Sequence, residues 1–208
     1  GKRINDLNTK NKFFPKSFQK INSKILISHA MKSFTDYNFN NFILPIGNYK
    51  EIFYEYFTNI KKINGRKCNI FLNSDEYKKA IVKKNKSINI FLTYTGINSN
   101  KASRILKVIK ILNLENFGVS YGDGVGNINL KKLFRLHTKS KAIMSVAANQ
   151  PKSQYGHFIY DKNQVIDFLE KPKSSLWSSL GGLQDINEIT KDRNTTILLI
   201  IFTANLIL

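Results

Sequence analysis

The chain has 208 residues, 42% of them hydrophobic and 23% charged, enough for one domain with a proper core and unlike a disordered segment. Its 33 Lys+Arg against 14 Asp+Glu give a formal charge of +19, which attracts anions but is spread along a sequence rich in Lys, Asn and Ile, so no nucleic-acid surface is expected. One cysteine, Cys68, excludes an internal disulfide, and His29, His137 and His157 lack the spacing of a metalloprotease or a zinc deaminase.

In chain order, "SKILISHAMKSFTDYN" (23–38) carries apolar residues at helical spacing and predicts an amphipathic helix ending near Asn38. "NNFILPIG" predicts a strand stopped by Gly47, and "NYKEIFYEYFTNIKK" a helix with Ile52, Tyr56 and Phe57 on one side. "KCNIFLN" and "SINIFLTYTG" read as strands and "ASRILKVIKIL" as a helix. "NFGVSYGDG" is a strand with its terminal loop, "NLKKLFRLHTKS" a helix, and "KAIMSVAANQ" a strand. "HFIYDKNQVIDFLEKP" predicts a hairpin turning at Asp161-Lys162-Asn163. The closing run "TTILLIIFTANLIL" is shorter than the ~20 residues that span a bilayer, so a strand or helix of the fold is expected rather than an anchor. Alternating helix and strand periods without a linker or repeat imply one α/β domain.

In open α/β sheets, ligands bind beyond the carboxyl ends of the strands. Gly47, Gly96 and the Gly122-Asp123-Gly124 run all fall at such ends. An acid between glycines suits a divalent cation carrying a phosphate, because no side chain obstructs the approach. The competing expectation is a turn in which Gly122 and Gly124 adopt positive φ and Asp123 caps the next helix.

Further segments weigh on that choice. "YGDGV" (121–125) is followed by "QP" (150–151), "YG" (155–156), "EKPK" (170–173) and "GG" (181–182). Upstream stand "KINSKILISHAMK" (20–32), "FILPIGNYKEIFYEYF" (42–57) and "TGINSNKASR" (95–104). In order and spacing these resemble the sugar-1-phosphate nucleotidyltransferases, most closely the branch that transfers CMP to glucose 1-phosphate. The likeness runs over roughly residues 13–182.

The resemblance implies a Rossmann-like nucleotide-diphospho-sugar transferase fold with a mixed central sheet. It also implies Mg²⁺ as cofactor, CTP and glucose 1-phosphate as substrates, and an enzyme of polysaccharide precursor synthesis. With no signal peptide read at its start, a cytoplasmic location is expected, and neither membrane nor nucleic acid is expected as a partner. Asp123 is then expected to hold the metal against the α-phosphate, while Lys16 in "FPKSF" neutralises phosphate charge and Arg3 assists. Gly1, Gly96, Arg104 and Gly122 are expected at the nucleotide. Glu170, Lys171, Gly156 and Gly182 are expected at the sugar phosphate, with Glu170 accepting from sugar hydroxyls and Lys171 pairing with the phosphate. His29 reads as structural.

The sequence also departs from the family. Set against the family pattern, the fold is expected to lack its first strand and the leading glycines of the phosphate loop, with Gly1 and Arg3 matching the loop's tail. Ala102, Ser103, Tyr94 and Leu180 replace family residues. Beyond Gly182 the likeness ends, so residues 1–182 are expected to form the transferase domain and 183–208 a divergent or truncated tail. The alternative expectation is a remnant that keeps the fold or ligand binding without turnover.

Overall fold

The apolar runs resolve into a layered α/β arrangement in a computed structural model, which describes residues 15–82, 86–114, 116–140, 142–176, 178–185 and 197–201. Gly1 and Arg3 lie outside the described residues. A 3-10 turn at Lys16–Phe18 leads into a small hairpin of β1 (Lys20–Ile21) and β2 (Lys24–Ile25), then α1 (Leu26–Thr35), β3 (Asn41–Ile46) and α2 (Lys50–Asn59). There follow β4 (Lys62–Ile63), β5 (Arg66–Phe71), α3 (Ser74–Val82), β6 (Ile88–Tyr94), α4 (Lys101–Leu112) and β7 (Asn116–Tyr121). The last described elements are α5 (Leu130–Ser140), β8 (Met144–Asn149), β9 (His157–Asp161), β10 (Gln164–Leu169), β11 (Ser178–Asp185) and β12 (Ile197–Ile201).

Eight strands form one mixed sheet in the order β4-β5-β6-β3-β12-β7-β11-β8. From β5 to β7 every neighbouring pair is parallel, whereas β11 runs antiparallel to both β7 and β8. Parallel strands covered on both faces read as continuous apolar runs. In β3, Phe42, Ile43 and Leu44 are all fully buried. Side chains alternate between faces. Phe42, Leu44 and Ile46 pack with Ile27 and Met31 of α1 and Phe53 and Phe57 of α2. Ile43 packs on the other side with Tyr77 of α3 and Val108 and Leu112 of α4.

Three local differences from the sequence expectation have clear causes. Helix α1 begins at Leu26 rather than near Ser23, because Lys20 pairs with Ile25 and Ile21 with Lys24 around positive-φ residues Asn22 and Ser23. The inward residues of α2 are Phe53 and Phe57, with Ile52 and Tyr56 only half-buried, so the predicted stripe is rotated by one position. Helix α3 was not anticipated. Its start is set by Asn73, whose Oδ1 accepts from the N–H groups of Asp75 (2.8 Å) and Glu76 (3.3 Å), two acids that also suit the positive helix end.

At the C-terminal end of the chain, β11 runs through positions 182 and 183, and β12 inserts between β3 and β7, parallel to both. The closing apolar run therefore contributes a strand. Among the described residues no helix is long and apolar enough to cross a membrane.

Candidate functional site

The rim at the carboxyl ends of the parallel strands is built from three short connections. Ile46, the last residue of β3, lies level with Tyr94 at the end of β6, and both are followed by glycine-containing loops. On the far side of β12, Ile201 pairs with Tyr121, the last residue of β7, so the Gly122-Asp123 turn leaves the same edge. The structure thus brings Gly47, Gly96, Gly122 and Asp123 to one rim.

The Asp123 turn is closed by Gly124 N–H donating to the Tyr121 carbonyl at 3.3 Å. Gly122 and Gly124 do not hold positive φ, which is confined to Gly65 and Gly96 among the described glycines. Nor does Asp123 cap the next helix: Asn129 does, its Oδ1 accepting from Lys132 N–H at 2.9 Å. The capping expectation is therefore overturned. Asp123 is half-buried, on the rim, with its carboxylate in none of the hydrogen bonds recorded among the described residues.

Arg104 of α4 is 3% exposed. Its Nε donates to the Ser99 carbonyl at 3.0 Å and its Nη1 to Thr95 Oγ1 at 3.2 Å. Gly47 makes this possible, since a Cβ there would sit 2.0 Å from Arg104 Nη2. Burial pulls the guanidinium below its ordinary pKa range, and neighbouring Tyr94 works against that pull. Gly96 has φ +97°, a conformation that favours glycine. Further cations surround this edge. Lys50 lies over the Tyr94 ring at 5.0 Å and Lys101 over the Tyr121 ring at 4.8 Å. Lys107 donates to the Thr95 carbonyl at 2.6 Å and to Ser99 Oγ at 3.0 Å. Sequence reasoning missed Lys107. Its signal was the three-residue spacing from Arg104, which puts both cations on one side of α4.

A second group forms at the base of the β9–β10 hairpin. A Cβ on Gly156 would meet the Phe168 ring at 2.3 Å and Glu170 Oε2 at 3.4 Å, so bare backbone lies beside that carboxylate. Glu170 Oε1 is 3.8 Å from Lys171 Nζ, both groups being exposed. Two backbone bonds, Ser153 N–H to Pro172 O and Ser174 N–H to Pro151 O, each 2.8 Å, tie this base to the "QP" segment. Gly182 sits in β11, inside the central sheet, opposite Val119 of β7 and Val146 of β8.

Lys16 belongs to neither group. It is half-buried in the 3-10 turn, held in place by the Phe18 ring, which packs edge-on against Phe53 (4.8 Å) and Tyr56 (5.2 Å). Among the described residues no ion pair joins Asp123 to Lys16 or Lys171. His29 donates Nε2–H to the Ile21 carbonyl at 2.9 Å, pinning the small hairpin to α1, a structural contact. Cys68 is buried, and that burial pushes its thiol pKa up, which disfavours the reactive thiolate.

Whether a divalent cation fits can be judged from the donor chemistry. The described residues hold no cluster of three or more acidic, histidine or cysteine side chains, so no all-protein cage is present among them. Mg²⁺ does not need one, because it keeps several waters and takes one or two carboxylates plus substrate phosphates. Asp123 fits that mode.

The nucleotidyl transferase family profile matches residues 1–183. A Bacillus subtilis protein described as a "probable glucose-1-phosphate cytidylyltransferase" is 29% identical over 77% of this chain, and the Salmonella typhi glucose-1-phosphate cytidylyltransferase 26% identical over 83%. The chain spans 62% of the first relative's length and 67% of the second's. An apo UDP-glucose pyrophosphorylase structure superposes with a TM-score of 0.52 at 18% identity, covering 82% of this chain and 68% of that one. At that identity the match speaks to the fold, and it agrees with a Rossmann-like α/β unit with a mixed sheet.

Proposed function

The chain belongs to the nucleotidyl transferase family, and from that premise we propose that it transfers a nucleotidyl group, CMP from CTP, to a sugar 1-phosphate, glucose 1-phosphate. Pyrophosphate leaves and a nucleotide sugar forms. The observation that carries the proposal is the rim itself: a half-buried carboxylate, Asp123, between glycines, on the edge that also bears Gly47, Gly96 and the basic side chains of Lys50 and Lys101. The CTP and glucose 1-phosphate assignments are supported by the names of the curated relatives.

In this reading a phosphate oxygen of the sugar phosphate attacks the α-phosphorus in line, and the bond from that phosphorus to the pyrophosphate oxygen breaks. Such reactions need positioning and charge neutralisation rather than covalent help. Asp123 would hold Mg²⁺, whose charge would offset that on the α-phosphate. Lys16, which stands outside both groups, is assigned to phosphate charge on the strength of the resemblance alone. The Gly96 loop, steadied by Arg104, carries the base, and Gly122 leaves the phosphates room. Glu170 accepts from sugar hydroxyls, Lys171 pairs with the sugar phosphate, and Gly156 and Gly182 let backbone come close. Lys171 already lies near Glu170, so the hairpin base presents an acceptor and a donor together.

The test is pyrophosphate release with CTP, glucose 1-phosphate and Mg²⁺. Release should depend on all three and fall by about 100-fold or more in Asp123→Ala, the scale on which a transition-state charge stabiliser acts. Full activity in that variant removes Asp123 from the mechanism. A second reading, binding without turnover, is favoured by Ala102 and Ser103 standing in the first turn of α4 at family glycine positions. A thermal-shift series with CTP, UTP, dTTP and GTP reads binding alone, since a ligand stabilises the native state whether or not it reacts. A shift with no pyrophosphate release therefore favours the second reading, and a shift with release the first.

A further inference from the structure

The loop between β6 and α4 is gripped by two cations of the same helix. Arg104 reaches it from the buried side, through Thr95 Oγ1 and the Ser99 carbonyl. Lys107, one turn further on, reaches it from the outer side, through the Thr95 carbonyl and Ser99 Oγ. Ser99 Oγ in turn donates to the Thr95 carbonyl, so the two ends of the loop are closed on one another. Thr95 then passes the connection across the sheet, since its N–H and its hydroxyl both donate to the Ile46 carbonyl, at 2.8 and 3.0 Å. The next residue is Gly47, against which the Arg104 guanidinium lies.

An exposed lysine on a helix normally keeps its head group in water, because ordering a long side chain costs conformational entropy. Lys107 instead spends two of its three donors on one loop. The loop it holds contains Gly96 at φ +97°, and Lys107 Nζ lies 3.6 Å from where a Cβ on Gly96 would be. The ammonium therefore holds the loop beside the residue where its backbone takes a positive φ.

We propose that Lys107 is a positioning residue, which clamps the Thr95–Asn100 loop to α4 and sets nucleotide affinity without touching nucleotide. This rests on the reading of the rim as a nucleotide site. Holding the loop before the ligand arrives removes part of the ordering cost from binding. The chemical step, at the α-phosphorus beside Asp123, is left alone.

The test compares Lys107→Met and Lys107→Arg with the unaltered chain, by hydrogen exchange of the amides in 95–100, equilibrium binding of CTP and steady-state kinetics. Lys107→Met should exchange faster in that segment only, weaken CTP binding and raise its KM about fivefold, the scale of a net hydrogen bond, and keep kcat within about twofold. Lys107→Arg should recover most of the loss. Unchanged exchange in Lys107→Met with nucleotide binding intact overturns the clamp and leaves the functional reading standing. A uniform loss of stability without the KM change reduces Lys107 to packing and overturns the positioning role. If the unaltered chain binds no nucleoside triphosphate while exchange in 95–100 still answers to Lys107→Met, the functional reading and the affinity role fail together.

Discussion

At Gly47 the backbone passes so close to Arg104 that any side chain would overlap the guanidinium. A glycine that reads in the sequence as a strand terminator is thus required for a different reason, the seating of a buried cation. Gly47→Ala must push Arg104 off Thr95 and Ser99, and overpacking of this kind typically costs about 1–3 kcal/mol. Urea unfolding should show that loss, and the variant should also bind CTP more weakly. Tyr77 offers a residue of opposite sign. Its ring is fully buried between Phe71 and Phe91, its hydroxyl finds no partner among the described residues, and burial pushes its pKa far above the phenol range. An unsatisfied buried hydroxyl carries a desolvation penalty of about 1–3 kcal/mol. Tyr77→Phe should therefore unfold at a higher urea concentration than the unaltered chain, and a lower midpoint would mean the hydroxyl has a partner after all.

Among the elements, α2 shows how a pattern can be right in type and wrong in phase. Aromatic residues at 53, 54, 56 and 57 leave several faces of the helix apolar, so the sequence specifies a helix without choosing the side that turns inward. The choice falls to Phe53 and Phe57, because the Phe18 ring from the Lys16 turn packs against Phe53 and Tyr56. Phe53→Ala should cost about 3–5 kcal/mol in chemical unfolding and Ile52→Ala much less. Equal losses would place the core stripe where the sequence spacing first put it. The parallel strands β5, β6 and β3 carry a comparable device in polar form. Asn69 Nδ2 donates to Asn89 Oδ1 (3.0 Å) and Asn89 Nδ2 to Asn41 Oδ1 (2.9 Å), across residues that are also register partners. These amides can satisfy one another only in this alignment, so they favour it over a slipped one.

For the whole molecule, the telling feature is that β12, last in the chain, lies in the middle of the sheet. Without it β3 and β7 would each present a row of unpaired backbone groups where they now bond to β12. A chain ending at residue 194 should therefore lose its cooperative unfolding transition or associate through those edges, as calorimetry and light scattering would show. An unaltered transition in the shortened chain would mean that β12 adds nothing to the sheet. The broad positive charge acts at this scale as well, drawing anions toward the molecule without choosing among them.

Most strands and four of the five described helices were legible from local spacing, because the period of apolar residues is set by backbone geometry alone. That Gly47, Gly96 and Asp123 fall at strand ends was legible too, since the apolar runs ahead of them mark where the strands stop. Helix α3 was less so: its signal lay in the cap "NSDE" rather than in a strong apolar stripe. Only the tertiary structure showed that Asn129, not Asp123, caps α5, that Arg104 is buried against Gly47, and that Lys107 reaches back to Thr95. Each of these depends on groups distant in the chain, or on which way a side chain turns, and periodicity carries no record of either. The sequence by itself determined the order and kind of the elements and the chemistry offered at their ends. Which of those groups meet, and which strand fills the centre of the sheet, was decided by packing.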